Sequence, residues 1–182
     1  DTPANGSAIT HNIMTYDYTI MDGLALKASY VPSHTTGAVE GSMDYGVSYT
    51  GVEGLTVYAA MGENNDAANA ADVSMVAAIY TAGALSVGYQ VNETDYGSGT
   101  SDEDFTAIGV SYAVSDDLSV SLNTSTIDYE SSTKDDQDAT AVSFSHTSGG
   151  MTISGTYGNM DNVAGTATAD NSAYEINFKF AF

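Results

Sequence analysis

The chain has 182 residues with 24 Asp and Glu, three Lys, no Arg, no Cys and no Trp, and a formal charge of −21. That balance excludes nucleic acid as a partner, since neutralising phosphates takes Lys and Arg; disulfide scaffolds, thiolate metal sites and Cys nucleophiles are excluded with the cysteines. No run approaches the ~20 apolar residues of a transmembrane helix, yet 42% apolar residues and 13 tyrosines mark an ordered chain rather than a disordered acidic one.

In chain order, residues 1–9 read as loop, and about eleven strand segments follow, near 10–20, 23–31, 41–50, 54–62, 72–82, 84–92, 104–114, 118–129, 139–147, 151–160 and 172–182. Alternation defines them. Leu24-Ala-Leu-Lys-Ala-Ser-Tyr30, Met43-Asp-Tyr-Gly-Val-Ser-Tyr49, Leu85-Ser-Val-Gly-Tyr-Gln-Val91 and Leu118-Ser-Val-Ser-Leu-Asn-Thr124 each place large apolar residues at every second position. Strand side chains point alternately to opposite faces, so each segment has one apolar and one small, polar face. Their lengths suit the ~9–11 residues of a tilted membrane strand better than the ~5–6 of soluble sheets.

The connections alternate too. Tight turns are predicted at Met21-Asp22-Gly23, Gly51-Val52-Glu53, Ala82-Gly83, Ser115-Asp116-Asp117 and Ser148-Gly149-Gly150, and longer polar loops at 32–40, 62–71, 93–103, 130–138 and 161–171. Such a meander collects all short turns at one end and all long loops at the other, as in outer-membrane barrels, whereas sandwiches need Greek-key crossings. Sixteen acids fall in residues 1–9, in the predicted long loops or at the first residue of the strand that follows one (Asp72, Asp104), four in tight turns (Asp22, Glu53, Asp116, Asp117) and four inside strands (Asp17, Asp44, Asp128, Glu175). A soluble sheet would cover its solvent face with charge; here Ser, Thr, Gly, Ala and Asn do so. Alternation from Leu118 turns Asp128 onto the apolar face, so a bulge bringing Ile127 and Tyr129 outward is expected there.

The last segment, Ser172-Ala-Tyr-Glu-Ile-Asn-Phe-Lys-Phe-Ala-Phe182, puts Tyr174, Ile176, Phe178, Phe180 and Phe182 on one face. It resembles the final strand of Gram-negative outer-membrane barrels, and the whole chain resembles the general, nonspecific porins in architecture. That resemblance implies an all-β antiparallel transmembrane barrel in the bacterial outer membrane, usually sixteen-stranded and homotrimeric. It also implies an assembly signal at Glu175, Phe180 and Phe182, read by the barrel-assembly machinery; Asn177 stands where that signal usually has glycine. Barrels of this type have even strand numbers with both termini on the periplasmic side. Eleven strands, the first running down from the loop end, therefore predict the C-terminal part of a larger single barrel domain, with residues 1–9 a remnant of an outer or constriction loop. A complete twelve-stranded barrel, serving as a specific channel or an autotransporter translocator, is the alternative.

The expected function is passive diffusion of small hydrophilic solutes and ions through a water-filled bore. Alternation makes Asp17, Lys27, Asp44, Glu175 and Lys179 the inward, pore-lining candidates, and acids at the loop end predict a mild cation preference. Tyr16, Tyr18, Tyr30, Tyr45, Tyr49, Tyr112, Tyr157 and Tyr174, with Phe180 and Phe182, suit interfacial girdles. Outer-membrane lipid and lipopolysaccharide are the expected surroundings. Glu130-Ser-Ser-Thr-Lys-Asp-Asp-Gln-Asp138 could take Ca²⁺ but lacks the EF-hand pattern, and no resident cofactor or metal is predicted. His11, His34 and His146 have no carboxylate at catalytic spacing and no Gly-x-Ser-x-Gly occurs, so an outer-membrane hydrolase is disfavoured, as is a soluble acidic β-protein.

Overall fold

The computed structural model describes residues 13–33, 41–65, 70–97 and 101–181. Phe182, His11, His34 and residues 1–9 lie outside the described residues. Eleven strands form one antiparallel sheet in strict chain order: β1 (Met14–Met21), β2 (Leu24–Val31), β3 (Ser42–Val52), β4 (Leu55–Asn64), β5 (Ala71–Ala82), β6 (Leu85–Asp95), β7 (Glu103–Ser115), β8 (Leu118–Tyr129), β9 (Gln137–Ser148), β10 (Met151–Asp161) and β11 (Asn171–Phe180). Among the described residues β1 and β11 each pair on one side only.

Register fixes the two faces. Leu122 of β8 stands opposite Val110 of β7 and Val142 of β9, and Tyr157 of β10 stands between Val142 and Tyr174. One step along, Ser121 stands opposite Ser111 and Ser143. Among the described residues no second layer covers the apolar face. Val31 and Ala71 are the only buried hydrophobic residues among those described, while Leu122, Tyr157, Ile176 and Phe178 are each more than half exposed. A soluble domain must bury such a face against a second layer, and a single sheet with an unpaired apolar face is stable where lipid supplies that layer. The stacked-sheet, soluble alternative is therefore set aside. The eight tyrosines expected at girdles all share the apolar face with Phe180.

All five tight turns lie at one end. Gly83 (φ +58°) and Gly149 (φ +59°) open two-residue turns closed by the pairs Ala82–Leu85 and Ser148–Met151, matching the positive φ a II′ hairpin needs at its first central residue. The second turn falls one residue later than expected, at Glu53-Gly54, because Gly54 takes the left-handed position (φ +76°). Register shifts occur at three of these turns, between Thr19 and Met21, Tyr49 and Val52, and Ala113 and Ser115.

Two expectations fail at the other end. Strands run further into the predicted loops, so Glu63, Glu93, Asp95, Glu103, Asp138 and Asp161 are strand residues, as are Asp72 and Asp104 at the predicted strand starts. No bulge relieves Asp128 either: β8 stays in register with β7 from Ser119 to Tyr129, leaving Asp128 opposite Asp104 on the face that carries Leu122. Ile127 and Tyr129 consequently lie on the polar face.

Candidate functional site: the polar wall and its acidic rim

Acids on the apolar face are confined to the loop end. Glu63, Asp72 and Asp95 stand side by side across β4, β5 and β6; Glu93, Asp104 and Asp128 do so across β6, β7 and β8; Asp138 faces Asp161. Like charges directly opposite one another destabilise a sheet by a few tenths of a kcal/mol, so such pairs survive where water and salt reach them. From Leu118 to Asp128 the strand climbs roughly ten residues at ~3.3 Å; at a ~40° tilt this is about 25 Å, the height of a barrel's apolar band. The acids thus mark the top of the lipid-facing zone, which is why Asp128 needs no bulge.

The polar face carries the five residues singled out in sequence. Lys27 pairs with Asp17, its register partner on β1, at 3.6 Å. Asp44 of β3 accepts the Ser29 hydroxyl at 2.7 Å and lies over Gly62 of β4, where a Cβ would strike the carboxylate. On β11, Asn177 donates to Glu175 at 2.8 Å, and Lys179 stands opposite Thr152. These side chains form two groups, on β1–β3 and on β11, at opposite edges of the described sheet.

Between them, the polar face of β4–β10 carries one charged strand residue, Glu103, at the loop end. Sequence reading missed it by placing it in a loop, although its parity with Phe105 and Ala107 was visible. Glu103 is bridged by Lys134 at 3.8 Å, and the same ammonium lies 4.1 Å from the Tyr129 ring centroid. Burial, and then the Glu103 carboxylate, raises the Tyr96 phenol above its ordinary 10.0. Below this rim, hydroxyls dominate: Thr81 bonds Ser86 at 2.8 Å, Ser143 bonds Thr156 at 2.9 Å and Thr147 bonds Thr152 at 2.9 Å, each pair spanning two strands.

At the loop end, the β8–β9 and β10–β11 connections hold each other. Asp135 N–H donates to the Gly165 carbonyl at 3.1 Å, Asn162 Nδ2 to the Asp136 carbonyl at 3.0 Å, and Ala164 N–H to Gln137 Oε1 at 2.7 Å. Gly165 is buried beneath the Lys134 stem. Within the acidic run 130–138, Lys134 thus turns to Glu103 and Tyr129 rather than to the run's own acids, and Asp138, on β9, accepts the Thr126 hydroxyl at 2.6 Å. Among the described residues no three acids or histidines are placed to hold a metal ion. His146 lies on the apolar face near the turn end, with Nδ1 3.2 Å from the Asp117 carbonyl oxygen.

A single antiparallel sheet in meander order, apolar on one face and polar on the other, with turns below and loops above, is the wall of an outer-membrane β-barrel. A family model of Gram-negative porins matches residues 2–182. The chain belongs to the Gram-negative porin family, and its place is the bacterial outer membrane. Solved structures agree in fold. The anion-selective porin from Comamonas acidovorans superposes with a TM-score of 0.78 at 15% identity, over 94% of this chain and 59% of that one. Outer-membrane expressed OmpT of Vibrio cholerae gives 0.67 at 20%, over 93% and 64%. A triple mutant of Rhodopseudomonas blastica porin gives 0.68 at 18%, over 93% and 55%. The chain spans less than two thirds of the length of each of these structures. No curated protein sequence matches it.

Proposed function

We propose that the chain forms part of the wall of a water-filled channel through which small hydrophilic solutes and ions diffuse passively, a channel rather than an enzyme. One observation carries this reading: among the described residues the sheet's apolar face has no protein layer over it, while its other face is lined with hydroxyls, amides and small residues. Such a wall suits lipid outside and water inside. That β1 and β11, among the described residues, each pair on one side only supports its place in a larger barrel of about sixteen strands. Homotrimer formation, and recognition of Glu175, Phe180 and Phe182 by the assembly machinery, belong to the same proposal and follow from the family resemblance.

Within this reading Asp17, Lys27, Asp44, Glu175 and Lys179 line the bore, and the channel prefers cations mildly. Three acids against two lysines barely tip the wall, but the acids at the loop end concentrate cations at that mouth over about a Debye length, ~8 Å at 0.15 M salt. The Comamonas acidovorans relative is an anion-selective porin; a charge of −21 without arginine favours the opposite sign here. Planar-bilayer recordings of the full-length protein in a KCl gradient test both statements. Conductance with a reversal potential of cationic sign is expected. Absent conductance overturns the channel, and a clear anionic sign overturns the preference alone.

A further inference from the structure

The charged side chains of the polar face are segregated, and the arc between them has a chemistry of its own. Below the Glu103–Lys134 pair, seven consecutive strands, β4 to β10, present no charged side chain on that face. The arc is banded. Nearest the loop end come Met75, Asn92, Phe105, Ile127 and Gln137, neighbours across β5–β9. In the middle, one cross-strand row reads Gly88, Gly109, Asn123, Ala141, Gly158 and Ala173. Nearer the turns, Thr81, Ser86, Ser111, Ser121, Ser143 and Thr156 make a continuous row of hydroxyls. The small middle row leaves a hollow of about 540 Å³, bordered by Ile79, Phe105 and Met160 and by the amides of Gln90, Asn123 and Asn171.

We infer that this arc is the path of uncharged, hydroxyl-rich solutes of sugar size, and that it ranks them above charged solutes of the same dimensions; the inference rests on the channel reading above. Hydroxyl and amide side chains both donate and accept, so a polyol passing over them exchanges water hydrogen bonds for wall hydrogen bonds at little net cost. The apolar border accepts the C–H faces of a sugar ring, and the open hollow of about 540 Å³ is large enough to admit one. An ion crossing the same arc keeps its water but runs beside a low-dielectric wall that offers it no opposite charge. Cations that the acidic mouth gathers therefore gain at the vestibule and lose along the wall, whereas neutral solutes do neither.

Swelling of liposomes holding the full-length protein tests this with three probes of one size: glucose, glucosamine and glucuronate. Glucose is expected to enter fastest, by about threefold or more over glucosamine, with glucuronate last. Placing a carboxylate in the arc, by Asn123→Asp or separately by Ser143→Asp, is expected to raise glucosamine entry relative to glucose about threefold, with single-channel conductance showing that each variant is inserted. Glucosamine outrunning glucose in the parent protein, or a ratio that neither inserted variant moves, overturns the inference and leaves the channel standing. Failure of all three probes and of salt conductance overturns the channel itself, and the inference with it.

Discussion

The two ends of this sheet reverse the chain by different means. At the turn end, left-handed backbone positions are given to glycine: Gly23, Gly54, Gly83 and Gly149 all have φ between +58° and +78°. At the loop end Gly97 and Gly165 do the same at +69° and +73°, but in the β10–β11 connection Asn162, Ala164 and Thr168 also adopt φ of 52°, 56° and 62°. No glycine relieves those three; partners hold them. Asn162 receives Thr168 N–H on its side chain at 3.2 Å and sends Nδ2 to Asp136, and Ala164 N–H reaches Gln137. Turn geometry is therefore written locally, whereas the loop cluster exists only once β8, β9 and β10 are already side by side.

The band between the two ends sets the scale for breaking this contrast. Leu122→Arg, at mid-height on the apolar face, is expected to cost ~2–4 kcal/mol, against ~0–1 kcal/mol for Asp128→Arg at the rim; urea titration of each variant in lipid vesicles reads the difference. Next comes the turn end. Gly54→Val forces a branched side chain into a left-handed conformation and against the Thr81 carbonyl, so a loss of about 2–3 kcal/mol is expected by the same titration. The loop end should respond less. Lys134→Ala removes a partly exposed ion pair and a ring contact, expected to cost about 1 kcal/mol or less. Its clearer sign is faster protease cleavage at 130–136 and 162–170 with the barrel intact. Ala164→Gly is expected to gain about 0.5 kcal/mol, since relief of ~1–2 kcal/mol of left-handed strain outweighs the entropy of glycine; thermal unfolding in detergent checks the sign. Smallest of all, Asp128→Asn relieves repulsion from Asp104 by a few tenths of a kcal/mol at low salt, and the gain disappears in 1 M salt.

The same contrast explains what the sequence made legible. Strand number, the order of short and long connections and the two faces were all readable, because period-two alternation and turn glycines are local signals. The loop-end strand limits were not. Glu93 and Asp95 look like loop residues by composition, yet they continue the alternation of Val87 across the lipid boundary. Asp128 invited a bulge for the same reason: local pattern does not carry depth in the membrane, and depth decides whether a carboxylate on that face is tolerable. Asp17, Lys27, Asp44, Glu175 and Lys179 were placed on the polar face by counting alone. The Glu103–Lys134 pair was not, because roughly thirty residues and two strands separate its members. Phe105 and Ile127 were likewise unforeseen on the polar face, since each sits at a strand end where apolar type and parity disagree.

Strict neighbour-to-neighbour pairing has an evolutionary corollary. Because no described strand reaches beyond its predecessor and successor in the chain, gain or loss of one complete hairpin re-pairs only the two strands that flank it, leaves every other pairing unchanged and alters mainly the circumference. Girth grows in near-linear proportion to strand number, so duplication of a segment of about twenty residues retunes the size cutoff of the conduit without redesigning its chemistry.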